Sequence, residues 1–227
     1  MKPPADLRAR VLEAARREPA TPRSVVERGT ARLIAGGYAA SIVLMLATGG
    51  AESTRRPAAL VAVTAAGWLL IAIAAAFGAY GRGRSMLGRS TATLEAVALV
   101  TAPLLLGWVA MVTGVWSDVH TDPGDARAHA GCFVFTVMYA AGPLLALLLA
   151  RARQGSDPVH PRATGAALGA AAGAWGGVMI DLHCPRTGML HVALAHVLPV
   201  LVLAAAGAIA GARILAVRLR EGDARSS

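Results

Sequence analysis

The sequence predicts an all-α fold: a polytopic integral membrane protein with six transmembrane helices and both termini in the cytoplasm. Three values predict this fold class, namely 56% hydrophobic residues, only 15% charged residues and a mean hydropathy of +0.55. Water-soluble domains usually contain about 45–50% apolar and about 25% charged residues. The composition therefore excludes an ordinary soluble domain of 227 residues.

Six long runs of the chain contain no charged residue, and their lengths lie between 18 and 26 residues. An α-helix rises about 1.5 Å per residue and needs roughly 20 residues to cross the hydrocarbon core of a bilayer. Each run is therefore long enough to span a membrane. The predicted spans lie at about 33–50, 58–80, 94–116, 130–150, 163–182 and 189–212, within a transmembrane domain at 33–217.

The distribution of positive charge predicts the orientation of these spans. Six spans place both termini on one side, together with the second and fourth loops. That side carries 18 of the 22 Lys and Arg residues, and the other side carries four. Because positive residues concentrate in cytoplasmic loops, the segment 1–32 and the tail 218–227 are predicted to be cytoplasmic. The loops are too short for a sizeable soluble catalytic domain, so we do not expect an enzyme.

The cytoplasmic N-terminal segment contains a predicted basic amphipathic helix at 4–18. Its apolar stripe and its arginines supply the candidate partner-binding residues, namely Leu7, Arg8, Val11, Leu12, Arg16 and Arg17. Such a helix can lie on an anionic leaflet, where each Arg contributes roughly 1 kcal/mol. Alternatively, it docks into an acidic and apolar groove of a cytoplasmic partner. The residues alone leave both interpretations open.

Glycines recur at four-residue spacing in the last two spans. The fifth span contains Gly165, Gly169 and Gly173, and the sixth contains Gly207 and Gly211. Lipid tails are as apolar as leucine, so transmembrane helices associate by close packing through such small residues. We therefore predict that the fifth and sixth spans pack tightly. The alternative is that a chain rich in Ala and Gly yields these spacings by chance.

Ionisable residues inside a span usually mark a transport pathway. Here Glu95 lies near the inner end of the third span and Asp181 near the outer end of the fifth. Neither residue lies at the midplane of the predicted membrane domain, and this placement disfavours a transporter.

Cysteine and histidine residues concentrate at the predicted outer face. Cys132 lies where the fourth span begins, and Cys184 follows the fifth span. Five of the six histidines share this side, namely His120, His129, His183, His191 and His196. This shared location of thiols and imidazoles is the most specific chemical feature of the sequence.

Three interpretations of this Cys/His group remain open. The two cysteines can form a disulfide in an oxidising compartment if their Cα atoms come within about 7 Å. Alternatively, thiolate, imidazole and carboxylate can bind a soft or borderline metal ion, with ligands from Asp181, His183, Cys184 and His191. The third interpretation is that these side chains only pack at the membrane interface. We favour a site that responds to a redox change or to a metal ion. The residues establish no cofactor, and the identity of the metal is unknown.

A second class of function follows from the same group of residues. In a small membrane metal- or haem-binding protein, His191, His196 and neighbouring groups would hold the cofactor. A Soret band on purification would indicate haem.

The residues from Gly131 to Arg213 resemble the negative regulator of sigma-F family, whose members are six-span anti-sigma factors of the bacterial inner membrane. The resemblance is carried by Cys132, Pro143, the glycines of the fifth span, the turn Leu182-His183-Cys184-Pro185 and His196. The tail PPADLRARVLEAARREPATPR also resembles the short cytoplasmic leader of such regulators, including the myxobacterial CarR-type proteins.

The resemblance implies an anti-sigma factor that sequesters an extracytoplasmic-function sigma factor at the inner membrane. The tail from Leu7 to Arg17 would hold the sigma factor, and Cys132 and Cys184 would take part in signal reception. An envelope redox, metal or photo-oxidative signal would release the sigma factor. The implied partners are the sigma factor and the lipid bilayer, with no direct contact to nucleic acid.

Overall fold

The computed structural model describes Ala9, Glu13 and residues 22–50, 56–81, 89–116, 125–154 and 159–215. Within these ranges the fold is all-helical, and six helices are long and apolar enough to cross a membrane. These helices are α1 (Arg23–Ala47), α2 (Ala58–Tyr80), α3 (Thr91–Val115), α4 (Ala126–Arg153), α5 (Pro161–His183) and α6 (Met189–Ile214). The last helix contains a π-helical segment at Val192–Val197.

Residues with capping or start preferences precede most of these helices. Pro22 and Pro57 precede α1 and α2, and α5 begins at Pro161. Proline fits a helix start because its missing N–H would have no partner there. Ser90 and Asp125 each accept a hydrogen bond from the backbone N–H three residues later, which caps α3 and α4.

Five of the six helices extend beyond the uncharged runs that predict them, and α2 is the exception. Helix α1 begins at Arg23, whereas the predicted span begins near residue 33, and α4 ends at Arg153 rather than near residue 150. The physical reason is that Arg and Glu are good helix formers. A run without charge marks the apolar length of a helix and not its full hydrogen-bonded length.

Helix α5 occupies the centre of the bundle. Sixteen of its 23 residues are buried, and it packs against each of the other five helices. By contrast, α1 is buried only at Thr30, Ser41 and Met45 among its described residues. The Ala and Gly side chains of α5 are small, so five helices can approach one axis closely.

The tightest crossing joins α5 to α6 through glycines. A Cβ atom added to Gly165 would overlap the backbone oxygen of Gly207, and one added to Gly169 would overlap that of Leu203. A Cβ on Gly173 would lie 2.8 Å from the Cα of Val200, and one on Gly211 would lie 2.9 Å from the Cα of Gly165. The two helices therefore touch backbone to backbone, which only glycine permits at these positions.

Contacts between helix ends define one end of the bundle, which we call the cysteine end. Thr48, just after α1, hydrogen-bonds Tyr139 of α4 at 2.7 Å between the two hydroxyl oxygens. Thr113 near the end of α3 lies 3.8 Å from the sulfur of Met189 at the start of α6. Cys184 follows α5 at this same end. Helix α1 therefore begins, and helix α6 ends, at the opposite end of the bundle.

Candidate functional site

Four side chains meet at the cysteine end, from α4, from the residue that follows α5 and from α6. We call them the Cys/His cluster: Cys132, Cys184, His191 and His196. The Sγ atoms of the two cysteines lie 3.6 Å apart, and Cys184 Sγ lies 3.3 Å from His191 Nε2. One potential ligand atom from each of the four residues lies within 4.8 Å of the others. The cluster is therefore compact enough to hold one metal ion.

The cluster is shielded from solvent by the surrounding helices. Cys184, His191 and His196 are each exposed by 1% or less, and Cys132 is half-buried. Both cysteines are free thiols. Burial strengthens any interaction within the cluster because little water competes for its polar atoms.

The π-helical segment explains how two histidines of one helix reach the same point. His191 and His196 are five residues apart, which places them roughly 140° apart around an ordinary α-helix. In a π-helix the hydrogen bonds join residues i and i+5, so side chains five positions apart share one face. Leu198 N–H donates to Ala193 O, which is such a bond, and the two imidazole centroids are 5.2 Å apart.

A proline and a threonine stabilise this altered segment. Pro199 has no N–H, so the carbonyl of Ala195, four residues earlier, loses the donor of a regular α-helix. The hydroxyl of Thr136 on α4 lies 2.8 Å from Ala195 O and 2.8 Å from Cys132 O. Its single proton is shared between these two acceptors. Thr136 thus links the helix that carries Cys132 to the segment that carries His196.

Asp181 belongs to a separate buried network beside the cluster. Its Oδ1 accepts a hydrogen bond from Arg56 NH1 at 3.1 Å, and its Oδ2 accepts one from Thr64 Oγ1 at 2.9 Å. A second nitrogen of Arg56 donates to the Asp181 carbonyl oxygen. Because Arg56 neutralises it, Asp181 is an anchor for α2 and α5 and not a free ligand.

His183 also points away from the cluster. Its Nδ1 lies 2.8 Å from the carbonyl oxygen of Gly50, and its ring packs against Phe135 and Tyr139. Gly50 has a φ of +70°, a left-handed conformation that suits glycine and turns this carbonyl toward α5. His183 therefore joins the end of α1 to the end of α5.

The structure brings together four of the six residues that the sequence suggests for sensing, and it separates Asp181 and His183 from them. His129 packs against His191, with ring centroids 5.0 Å apart. The candidate partner-binding residues Leu7, Arg8, Val11, Leu12, Arg16 and Arg17 lie outside the described residues, as does His120. The glycines at 165, 169, 173, 207 and 211 all lie at the α5–α6 crossing.

Sequence reasoning missed Arg56, Thr64 and Thr136. A buried ionisable residue requires a partner. Arg56 lies two residues before α2 and Asp181 two residues before the end of α5, at the same end of the bundle, so the pairing could be predicted from the topology. Thr136 offered a weaker signal, its position one turn after Cys132. Nothing in the sequence indicated which distant carbonyl it would bond.

A known protein family matches most of the chain. The family model described as NrsF, negative regulator of sigma F, matches residues 14–216. No curated protein and no solved structure matches the chain. The matched range contains all six helices and the Cys/His cluster, and it begins after Leu12 of the predicted tail helix.

Proposed function

Since the chain belongs to the NrsF family, whose name implies negative regulation of a sigma factor, we propose that it is a membrane-bound anti-sigma factor. It sequesters an extracytoplasmic-function sigma factor at the bacterial inner membrane and catalyses no reaction. The observation that carries this proposal is the family match across all six apolar helices. The lipid bilayer surrounds the bundle, and the sigma factor is bound on the cytoplasmic side.

The charge distribution supports an orientation with the cysteine end outside. Among the described residues, Arg151, Arg153, Arg162 and Arg213 lie at the end opposite the cysteines. Positive residues favour the cytoplasmic side. In this orientation both tails are cytoplasmic, and the Cys/His cluster faces the envelope compartment. A reporter fused to the C-terminus that folds only in the cytoplasm should be active, and an inactive reporter would contradict the orientation.

A role of Cys132 and Cys184 in signal reception fits their position at the end of the bundle opposite to the start of α1. A redox, metal or photo-oxidative signal changes the bonding of Cys184, which lies between α5 and α6. Those helices touch through glycine backbones, so a shift of one requires a shift of the other. A signal that favours one of two packings changes the population of the form that holds the sigma factor.

Co-purification of a sigma factor tests the proposal directly. Full-length protein extracted from its native membrane should retain the sigma factor. Replacing Leu7 and Leu12 with Asp should abolish retention, because the apolar stripe of the tail would carry charge. The matched control is Arg225→Glu in the other tail, which should retain it. Recovery of no sigma factor with the unchanged protein, when an unrelated membrane anti-sigma factor retains its own partner, would overturn the proposal.

The alternative function is a small membrane metal- or haem-binding protein. It is favoured by His196, whose two ring nitrogens have no hydrogen-bond partner among the described residues. This alternative requires a bound cofactor in the purified protein and no sigma factor. A Soret band, or a stoichiometric metal in a preparation free of sigma factor, would support it.

A further inference from the structure

We propose that Cys132, Cys184, His191 and His196 bind one divalent metal ion of the Zn²⁺ and Cd²⁺ class in four-coordinate, closed geometry. The inference deepens the proposed function, because it names the chemistry that the site receives and rests on that function for its role in signalling. It also assigns the two nitrogen ligands to His191 and His196, which the π-helical segment places on one face.

The distances within the cluster approach those of a tetrahedral site. With metal–sulfur bonds of about 2.3 Å and metal–nitrogen bonds of about 2.05 Å, a tetrahedron has S···S edges of about 3.8 Å and S···N edges of about 3.6 Å. The observed Cys132–Cys184 separation is 3.6 Å, and the Cys184–His191 separation is 3.3 Å. The remaining ligand atoms lie within 4.8 Å, so small side-chain rotations complete the shell.

Unpartnered nitrogens give the second, independent observation. His196 is 1% exposed, and neither of its ring nitrogens has a hydrogen-bond partner among the described residues. Nδ1 of His191, which is fully buried, is likewise without a partner there. Buried polar atoms are nearly always hydrogen-bonded, and an exception requires an explanation. A metal ion satisfies one nitrogen of His196 directly and fixes the orientation of both rings.

The ligand set selects the class of ion. Two thiolates and two imidazoles suit soft and borderline metals with tetrahedral preference, whereas Mg²⁺ and Ca²⁺ require oxygen ligands. The carboxylate of Asp181, three residues before Cys184, is already bonded by Arg56 and Thr64. The site therefore offers sulfur and nitrogen and no available carboxylate among the described residues.

The charge of the filled site suits a buried location. On binding, each cysteine loses its S–H proton to water and forms a metal–sulfur bond, and each neutral histidine donates a nitrogen lone pair. Two thiolates neutralise one divalent ion, and two protons leave for each ion bound. The complex has no net charge, so it avoids the cost of an unpaired charge in an apolar interior.

Cobalt absorption tests the ligand set in purified, reduced, full-length protein in detergent. Co²⁺ should give the intense visible bands of a tetrahedral site together with a thiolate-to-cobalt charge-transfer band, and Zn²⁺ should abolish both. His191→Ala and His196→Ala should each weaken cobalt binding more than about 10-fold, since even outer-shell changes cost that much. His183→Gln is the matched control, because His183 bonds Gly50 outside the cluster, and it should bind normally.

Measurements on the unchanged protein keep the proposal testable if a histidine variant fails to fold. Zinc-edge X-ray absorption of the zinc-loaded protein should show two sulfur and two nitrogen neighbours. A shell made only of sulfur, or a shell of oxygen and nitrogen alone, would overturn the inference. So would a lack of cobalt binding in protein whose two thiols are both titrated as reduced after denaturation. None of these measurements involves a sigma factor, so a failed co-purification and a failed metal site are distinguishable.

Discussion

Two buried polar groups lie one helical turn apart at the end of α5, and they differ in how far the protein satisfies them. The carboxylate of Asp181 has both oxygens hydrogen-bonded, to Arg56 and Thr64. The cluster around Cys184 instead contains two thiols 3.6 Å apart and a fully buried His196 with no partner at either nitrogen in the described structure. The Asp181 carboxylate completes its bonding within the chain, although Nε of Arg56 has no hydrogen-bond partner among the described residues. The imidazole of His196 does not.

From this difference we infer a structural role for the Asp181 group, whereas the proposed function gives the Cys/His cluster the role of receiving a signal. A buried ion pair fixes which surfaces of α2 and α5 meet, because breaking it leaves a charge without compensation. A group with unpartnered ligand atoms can still gain bonds, to a metal ion or between its own thiols. Asp181 and Cys184 are three residues apart, so the ion pair anchors α5 to α2 directly beside the cluster. The predictions below test this contrast in order of decreasing effect on the free energy of unfolding.

The largest loss is expected for Arg56→Met. The substitution leaves the buried carboxylate of Asp181 without its cation, and breaking a buried pair in this way costs about 3–5 kcal/mol. Unfolding of the purified protein in mixed micelles, followed by circular dichroism, measures the change.

A double variant separates charge from packing at the same place. Combining Arg56→Met with Asp181→Leu removes both charges, and Thr64 retains an acceptor in Leu60 O at 2.9 Å. Stability should return to within about 1–2 kcal/mol of the unchanged protein. If Arg56→Met alone costs nothing measurable, the ion pair is not an anchor and the contrast with the cluster disappears.

The next effect concerns the α5–α6 crossing, which lies deeper in the bundle than either polar group. Gly169→Val would push a side chain into the backbone oxygen of Leu203, and overpacking of this kind costs about 1–3 kcal/mol or more. Gly107→Val on α3 is the matched control, since a Cβ there meets nothing within 4 Å. Equal stability of the two variants would show that the crossing can separate without cost.

Thr136→Val should have a smaller effect on stability and a specific one on the cluster. The variant removes the buried hydrogen bond from Thr136 to Ala195 O, at a cost of about 0.5–1.5 kcal/mol. We also expect weaker cobalt binding, because the π-helical segment loses its support. Thr136→Ser keeps the hydroxyl and should restore both properties. A Val variant with unchanged cobalt affinity would show that Thr136 does not position the histidines.

The six helices could be predicted from the sequence, because each contains a long run without charged residues. Such a run is a local property of the chain. The helix starts were less accessible, since α1 extends back to Arg23 through residues that form helices well despite their charge. The α5–α6 crossing could also be predicted, because glycines at four-residue spacing expose a strip of backbone on one face of a helix.

The candidate site could be predicted from the sequence only in part. The predicted topology places Cys132, Cys184 and the histidines at the same end of the bundle. It does not show which of these histidines lie close to the cysteines. The choice of His196 over His183 depends on a π-helical segment, which departs from the 3.6-residue period on which sequence patterns are based. Asp181 is not available as a metal ligand because it is paired with Arg56, which lies 125 residues away in the chain.

The smallest effect on stability, with the largest effect on signalling, is expected for Cys132→Ser and Cys184→Ser. A serine hydroxyl is close in shape to a thiol, so both variants should fold, insert and change the free energy of unfolding by only about 1 kcal/mol. Each removes one of two thiolates, so cobalt binding should be lost. A reporter driven by the sigma factor should then no longer respond to zinc or cadmium, while His183→Gln, whose native side chain bonds Gly50 outside the cluster, should respond normally. A reporter response that is the same in both serine variants and the unchanged protein would remove the cluster from signal reception and leave it, like Asp181, a packing element of α5.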